Sequence, residues 1–519
     1  MAIIKISELP AADTPLSASD VVPALQNGVT KKAAIDQFGF LPSGTNAVTR
    51  TLQAKLRETV SITDFGADPT GVADSYGAFV AALAASDAVF VPAGTFKVGT
   101  QIDITGNKVI YGLGGDNFEA LPSRINHTAA SGNLFSATSA EFGGIVIRNL
   151  SIIGGNGGYA IRSSRPQSVF ENILMEVYNG SGIQLFEAGT GSQASWATVV
   201  KDVKWVGPAS QTAYRGFDIT QNGGLITLYR CTAIRGSIGI NINQGEAIDI
   251  VSCSFNLQTS TTSSLSADNQ CCIRLSGGGY KKAVSIRNSY IEAYTYGIYV
   301  EKCESLSIEN NYLADVGFSS NYSSIYLKDN NVNNVTIRNN NFGDNSDNHN
   351  CVEIGNGAAN VYVLNNFING AGINAVGIKK GTTTRSYVEA NKFNMNVSTG
   401  TTIVDPNYLI VDLDFAVNGF LSYSRKDFTS VNDTWYDLGA VGNDQVWRIT
   451  IMDSNTPGTW RLTKDLVISK TGVATFETIY SVDGGFAIRE LRVSGGKIQF
   501  RTTGAAGNTA NTITAMRLV

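Results

Sequence analysis

Few residues in this chain carry charge, 16% of 519, so acids that recur at one spacing stand out as candidates for chemistry. Glu292 follows Ile291, Asp315 stands two after Leu313 and Asp344 two after Phe342, in three successive copies of one short sequence word. If each copy is one turn of a stacked coil rising about 4.8 Å, the three acids fall at nearly the same corner. Crowded carboxyls there would raise one pKa and leave the other ionised, which is an acid–base pair. Glu301, Asp329 and Glu353 group in the same way near the outward ends of a second word. Like charges are not stacked on adjoining strands unless something uses them, so both columns are candidate catalytic sites. Tyr290, Tyr294, Tyr296, Tyr299, Tyr312, Tyr322 and Tyr326 crowd the same copies, with Arg274 just before them and Trp196 in an insertion. Aromatic faces and guanidinium donors grip sugar rings, which makes Tyr294, Tyr296, Tyr299, Tyr326, Trp196 and Arg274 the candidate binding residues.

The elements that must position these residues are repeats. An alternating apolar word running into a polar residue reads IVIRNLSI from Ile145, VSIRNSYI from Val284, LSIENNYL from Leu306, VTIRNNNF from Val335 and VYVLNNFI from Val361. Weaker copies pass through 199, 226 and 248, and the period is about 26 residues. Between them lies a second word of the type small-apolar-x-apolar: GIQL, GFDI, GINI, CIRL, GIYV, SIYL, CVEI and AVGI, from 182 to 378. Two short strands per period cannot bury their apolar faces alone, but stacked they share one core. The spacing therefore predicts a right-handed parallel β-helix of about ten coils over 106–420. The polar residue closing each first word (Asn149, Asn172, Asp202, Arg230, Ser252, Asn288, Asn310, Asn339, Asn365) is expected to stack as a hydrogen-bonded ladder. Longer steps mark insertions at 186–200 and 256–270. After about 420 the words stop, and alternating segments over 421–519 suggest antiparallel strands and a β-sandwich.

Composition excludes several classes. Glycine is 54 of 519 and proline 11, which disfavours helical bundles. A net charge of -4 gives no basic field to collect nucleic acid. No window of about 18 apolar residues is present and MAIIKISELPAADT lacks a secretory apolar core, so a soluble chain made in a cytosol, with no membrane insertion, is expected. Six cysteines without CxxC spacing read as buried hydrophobes. With only His127 and His349, no multi-histidine metal centre is expected, nor any cofactor.

Upstream of the coils, TVSITDFGADPTGVADSYGAFVAALAASDAVFVPAGTFKV (59–98) carries Asp64, Phe65, Gly66, Ala67, Asp68, Gly71 and Asp74, then Val91, Pro92, Gly94 and Phe96. This resembles the neck module of the pectate-lyase-like β-helix proteins of phage tails. Residues 73–76 are Ala-Asp-Ser-Tyr where that family has Thr-Asp-Asp-Thr. ISELPAADTPLSASDVVPALQNGVTKKAAIDQF (6–38) and the RTLQAKLRE linker resemble the attachment segments of bacteriophage tailspikes and tail fibres. The resemblance implies an attachment segment over 1–50, a neck over 51–105 with a structural DFGA motif, and a homotrimer. It also implies a virion-tail location, binding to another phage tail or baseplate protein through the N-terminus, and cleavage of a host cell-surface polysaccharide, O-antigen or capsule. Glycoside hydrolysis by a carboxylate pair fits the acid columns. A lyase using Arg274, Arg287 or Arg338 with Tyr299 or Tyr326, or a non-catalytic receptor-binding spike, stays open, as does a carbohydrate-binding role for the C-terminal region.

Overall fold

The computed structural model of the chain describes residues 21–34, 38–114, 121–138, 143–176, 178–187, 196–208, 214–257, 270–279, 281–293, 295–314, 322–343, 350–370, 376–380, 386–389 and 391–395, and seven strands between 423 and 517. Asp315, Asp344, Tyr294, His349 and residues 1–20 and 35–37 of the attachment segment lie outside the described residues.

The coils form a right-handed parallel β-helix whose strands pair in parallel from one turn to the next. Each coil contributes three strands where the words predicted two. The reason is the polar residue that closes the first word: Asn149, Asn172, Asp202, Arg230, Ser252, Asn288, Asn310, Asn339 and Asn365 all have φ between 50° and 60°. A left-handed residue bends the backbone sharply, and asparagine tolerates that conformation better than most. The register steps over it, Arg148 pairing with Glu171 and then Leu150 with Ile173. One word thus feeds a first and a second sheet, and the second word forms a third. Inward residues stack coil on coil, as in Ile147, Phe170, Val200, Leu228, Ile250, Ile286, Ile308, Ile337 and Val363, none more than 1% exposed. Each such side chain contributes roughly 1.5–3 kcal/mol by leaving water.

The asparagine ladder is shifted by one residue from the expected position in the later coils. There Asn311, Asn340 and Asn366, at most 2% exposed, carry it. Asn340 Oδ1 accepts from the backbone N–H of Asn311 at 2.9 Å and its Nδ2 at 3.0 Å, and Asn340 donates to Asn366 in the same way. The residue before each is committed to the bend, so its neighbour turns inward and satisfies the corner's buried backbone groups. Only in the early coils does the predicted residue stack, Asn172 Nδ2 donating to Asn149 Oδ1 at 2.9 Å.

The helix Tyr76–Ala85 covers the open end of the first coil with Phe79, whose ring meets Phe135 edge-on at 6.3 Å. The DFGAD motif is structural here. Asp64 closes a capping box with Ser61 and Gly66 takes φ 85°. Asp68 accepts from the Thr70 hydroxyl and the backbone N–H groups of Thr70, Val72 and Ala73, bonds that hold its carboxyl down at about 2. Before the coils, Val21–Gln26 and Val29–Ala34 form a hairpin turning on Asn27 and Gly28, both at positive φ, as a two-residue turn requires. Beyond them, Tyr423–Ser430, Thr509–Arg517, Gln445–Asp453 and Arg461–Ile468 make one antiparallel sheet, and Tyr436–Ala440, Lys497–Thr503 and Ile488–Ser494 another. All six cysteines are buried, and none is in a disulfide.

Candidate functional site

Glu292 sits on the outward face of the second sheet, in the strand Tyr290–Ala293, only 8% exposed. Its Oε2 accepts from Asn256 Nδ2 at 2.8 Å and from the Tyr290 hydroxyl at 2.7 Å. Asn256 stands on the preceding coil, in register with Glu292, so the parallel stacking itself delivers the donor. The Tyr290 ring lies 5.7 Å from that of Tyr312 on the next coil. Tyr312 is 40% exposed and its hydroxyl reaches over Gly343, where a Cβ would come within 2.5 Å of it. The missing side chain at Gly343 leaves room for the tyrosine to lie along the sheet.

The register partner of Glu292 on the next coil is Ala314. Asp315 is therefore one residue past the Glu292 position. Asp315 and Asp344 lie outside the described residues, in the sequence between the second-sheet and third-sheet strands of their coils.

Across the corner, the third sheet places one outward residue of each second word in a single column: Asp218, Asn241, Arg274, Tyr299, Tyr326 and Glu353. Tyr296 stacks on Tyr326 with centroids 5.3 Å apart and planes at 18°, with Tyr299 and Tyr322 each 5.2 Å from it. Burial in this group pushes the Tyr296 hydroxyl well above its ordinary pKa. Glu353 closes the group, accepting from Ser323 Oγ at 2.7 Å and Asn350 Nδ2 at 3.0 Å.

The second expected acid column does not form. Glu353 is level with Tyr326, whereas Glu301 lies two residues beyond the equivalent Tyr299 and Asp329 three beyond Tyr326. Glu301 instead accepts from Lys328 Nζ at 2.6 Å, and that bond holds its carboxyl below the usual range. Asp329 accepts from Asn331 N and Nδ2, both at 2.9 Å, in its own turn. Counting along the word placed the acids together, but strand alternation and the turn separate them.

Arg274 is brought beside the tyrosines, one coil before Tyr299. Trp196, 42% exposed, is not: it precedes first-sheet residue 199, three coils before the one carrying Tyr299. Arg287 and Arg338 lie on the first sheet, paired with Asp249 and Glu309, so the arginines expected of a lyase are not assembled with Tyr299 and Tyr326.

The sequence reading missed Asp218, 1% exposed, which accepts from the Tyr159 hydroxyl at 2.5 Å, Arg215 Nη1 at 2.8 Å and Asn241 Nδ2 at 2.7 Å. Burial, then the Asp218 charge, raises the Tyr159 pKa. The signal was present: GFDI and GINI put Asp218 and Asn241 at the position Tyr299 holds in GIYV. His127 is buried, with Nδ1 2.8 Å from the Tyr178 hydroxyl, and desolvation lowers its pKa to about 4. Among the described residues no group of three His, Cys, Asp or Glu side chains is placed to hold a metal ion.

The sequence matches no protein-family model and no curated protein. Solved structures are similar in fold. The Dettilon tailspike protein shares 11% identity over 90% of this chain and 95% of its own, at TM-score 0.45. The tailspike of the E. coli bacteriophage HK620 shares 12% over 93% and 98%, at 0.42. The A-module of an Azotobacter vinelandii mannuronan C-5 epimerase shares 14% over 64% and 99%, at 0.41.

Proposed function

We propose that the chain is a phage tailspike that binds and cleaves a bacterial surface polysaccharide, O-antigen or capsule, by endo-glycosidic hydrolysis. One observation carries this reading: a withdrawn carboxylate, Glu292, held by Asn256 and Tyr290, flanks the same corner as a cluster of four tyrosines. Hydrolysis needs one carboxyl to protonate the leaving oxygen and another to act as nucleophile or to direct water, their separation deciding between retention and inversion. Glu292 is the first member of the pair. Asp315 or Asp344, in the sequence between the second-sheet and third-sheet strands of their coils, is the second, with Glu353 on the third sheet. Tyr296 and Tyr326, with Tyr294 and Arg274, form the sugar-binding wall, and Tyr299, buried behind them, backs it. The phage-tail resemblance of residues 6–98 supports a homotrimer attached to another tail or baseplate protein through the N-terminal 50 residues, acting from the virion tail at the cell surface.

Incubating the full chain with polysaccharide from susceptible bacteria and counting new reducing ends tests the reading. Chain shortening without absorbance at 232 nm is expected; that absorbance would mark an unsaturated uronate and a lyase, and no shortening on any susceptible strain sinks the enzyme.

A further inference from the structure

Neighbouring coils converge on the Glu292 side chain. Tyr290 and Glu292 stand two residues apart on one strand, so they share its outward face, and the Tyr290 hydroxyl donates to Glu292 Oε2 at 2.7 Å. From the preceding coil, Asn256 Nδ2 donates to the same oxygen at 2.8 Å. One donor arrives along the strand and the other across it, and two directions at one oxygen fix where that oxygen sits. The backbone is tied as well: the Cys272 thiol, buried in the core, donates to the Glu292 carbonyl at 3.2 Å. Tyr290 is restrained in turn. Its register partner on the next coil is Tyr312, the two rings lying 5.7 Å apart and tilted by 47°. Tyr312 reaches toward the coil after that, where a Cβ on Gly343 would lie 2.5 Å from its hydroxyl oxygen and 2.8 Å from its Cε2.

We infer that Tyr290 is a positioning residue for the cleavage reaction, acting through Glu292, with Tyr312 holding its ring in place. This rests on the proposed polysaccharide-cleaving role, in which Glu292 is one of the two carboxyls. A catalytic carboxyl must meet the reacting atoms at one distance and angle, and a misplacement of about 1 Å can cost about a hundredfold in rate. An unrestrained glutamate is spread over several rotamers. The phenol and the amide remove that freedom before the sugar arrives, so the orientation is built into the free protein. A phenylalanine would offer a sugar the same ring face; the hydroxyl is what the carboxylate uses.

The test is steady-state cleavage of polysaccharide from susceptible bacteria by the full-length chain. Tyr290→Phe keeps the ring and removes the donor, so kcat should fall about 10- to 100-fold while KM changes by no more than about twofold. In a Glu292→Gln background the same change should cost about twofold or less, because a residue that acts through Glu292 has nothing left to position. Full activity in Tyr290→Phe or in Glu292→Gln, a raised KM at unchanged kcat in Tyr290→Phe, or an undiminished loss in the Glu292→Gln background would overturn the inference and leave polysaccharide cleavage standing. No cleavage by the unaltered chain on any susceptible strain overturns that role, and the inference with it.

Discussion

On the first sheet, Lys201 meets Glu171 at 2.6 Å, Arg230 meets Asp202, Arg287 meets Asp249, and Arg338 meets Glu309 at 2.8 Å. The four cations remain 37% to 53% exposed. At the corner of the second and third sheets, Glu292 and Glu353 are drawn against the protein and held by amides and hydroxyls. Both faces stand on the same coil with the same core, so the fold does not distinguish them. The partners do. Opposite charges on adjoining coils relieve repulsion and stay in water, where such pairs contribute little. Amide and hydroxyl donors around a withdrawn carboxylate fix its direction.

The largest effect expected from breaking this contrast is on turnover. Glu292→Gln should lower kcat for polysaccharide cleavage about 10³-fold, whereas Arg287→Met on the first sheet should leave it within twofold. Equal losses in the two variants would remove the distinction between the faces. In an earlier coil, on the strand Ser123–His127, His127 supplies an acid test of the solenoid's interior. Its folded pKa, about 4, lies below its ordinary 6.5, so the folded state refuses a proton that the unfolded chain accepts. Stability is whole above 6.5 and declines as pH falls toward 4, by about 3 kcal/mol. Urea midpoints at pH 7, 5.5 and 4 should show this decline, and the fall attributable to His127 should be missing from His127→Gln.

Asn340→Ala cuts the ladder that both sheets share, removing the bond to the Ile308 carbonyl at 2.9 Å. A loss of about 1–3 kcal/mol is expected from the buried groups left unpaired, read as a lower midpoint without loss of the corner's activity per folded molecule. The smallest effect belongs to the first-sheet pairs: Glu309→Gln should not move the midpoint measurably at 0.5 M salt or in its absence, because Arg338 stays solvated.

The stacked fold was legible because its cause is local and repeated. Ile286, Ile308, Ile337 and Val363 recur at the same place in their words, and only stacking buries them all. The third strand of each coil was not legible, since a bend at Asn288 or Asn310 does not interrupt the apolar alternation around it. The site was half legible. Tyr296, Tyr299, Tyr326, Glu353 and Arg274 are brought to one face as their spacing suggested. Glu301 and Asp329 are not, because Glu301 lies two residues beyond the Tyr299 column and Asp329 belongs to a turn outside the strand. Asp218 escaped notice because its importance lies in donors from Tyr159 and Asn241, 59 and 23 residues away.

By itself the sequence determined the solenoid and the coils on which its tyrosines gather, because periodic burial and short capping motifs act over one period or less. Only the tertiary structure decided which acid meets which partner. Neighbouring coils are about 4.8 Å apart but 22 to 36 residues apart along the chain, so a shift of two positions exchanges Lys328 for Tyr326 beside a carboxylate. That choice separates Glu301, bonded to Lys328, from Glu292 and Glu353, which the amides of Asn256 and Asn350 and the hydroxyls of Tyr290 and Ser323 orient.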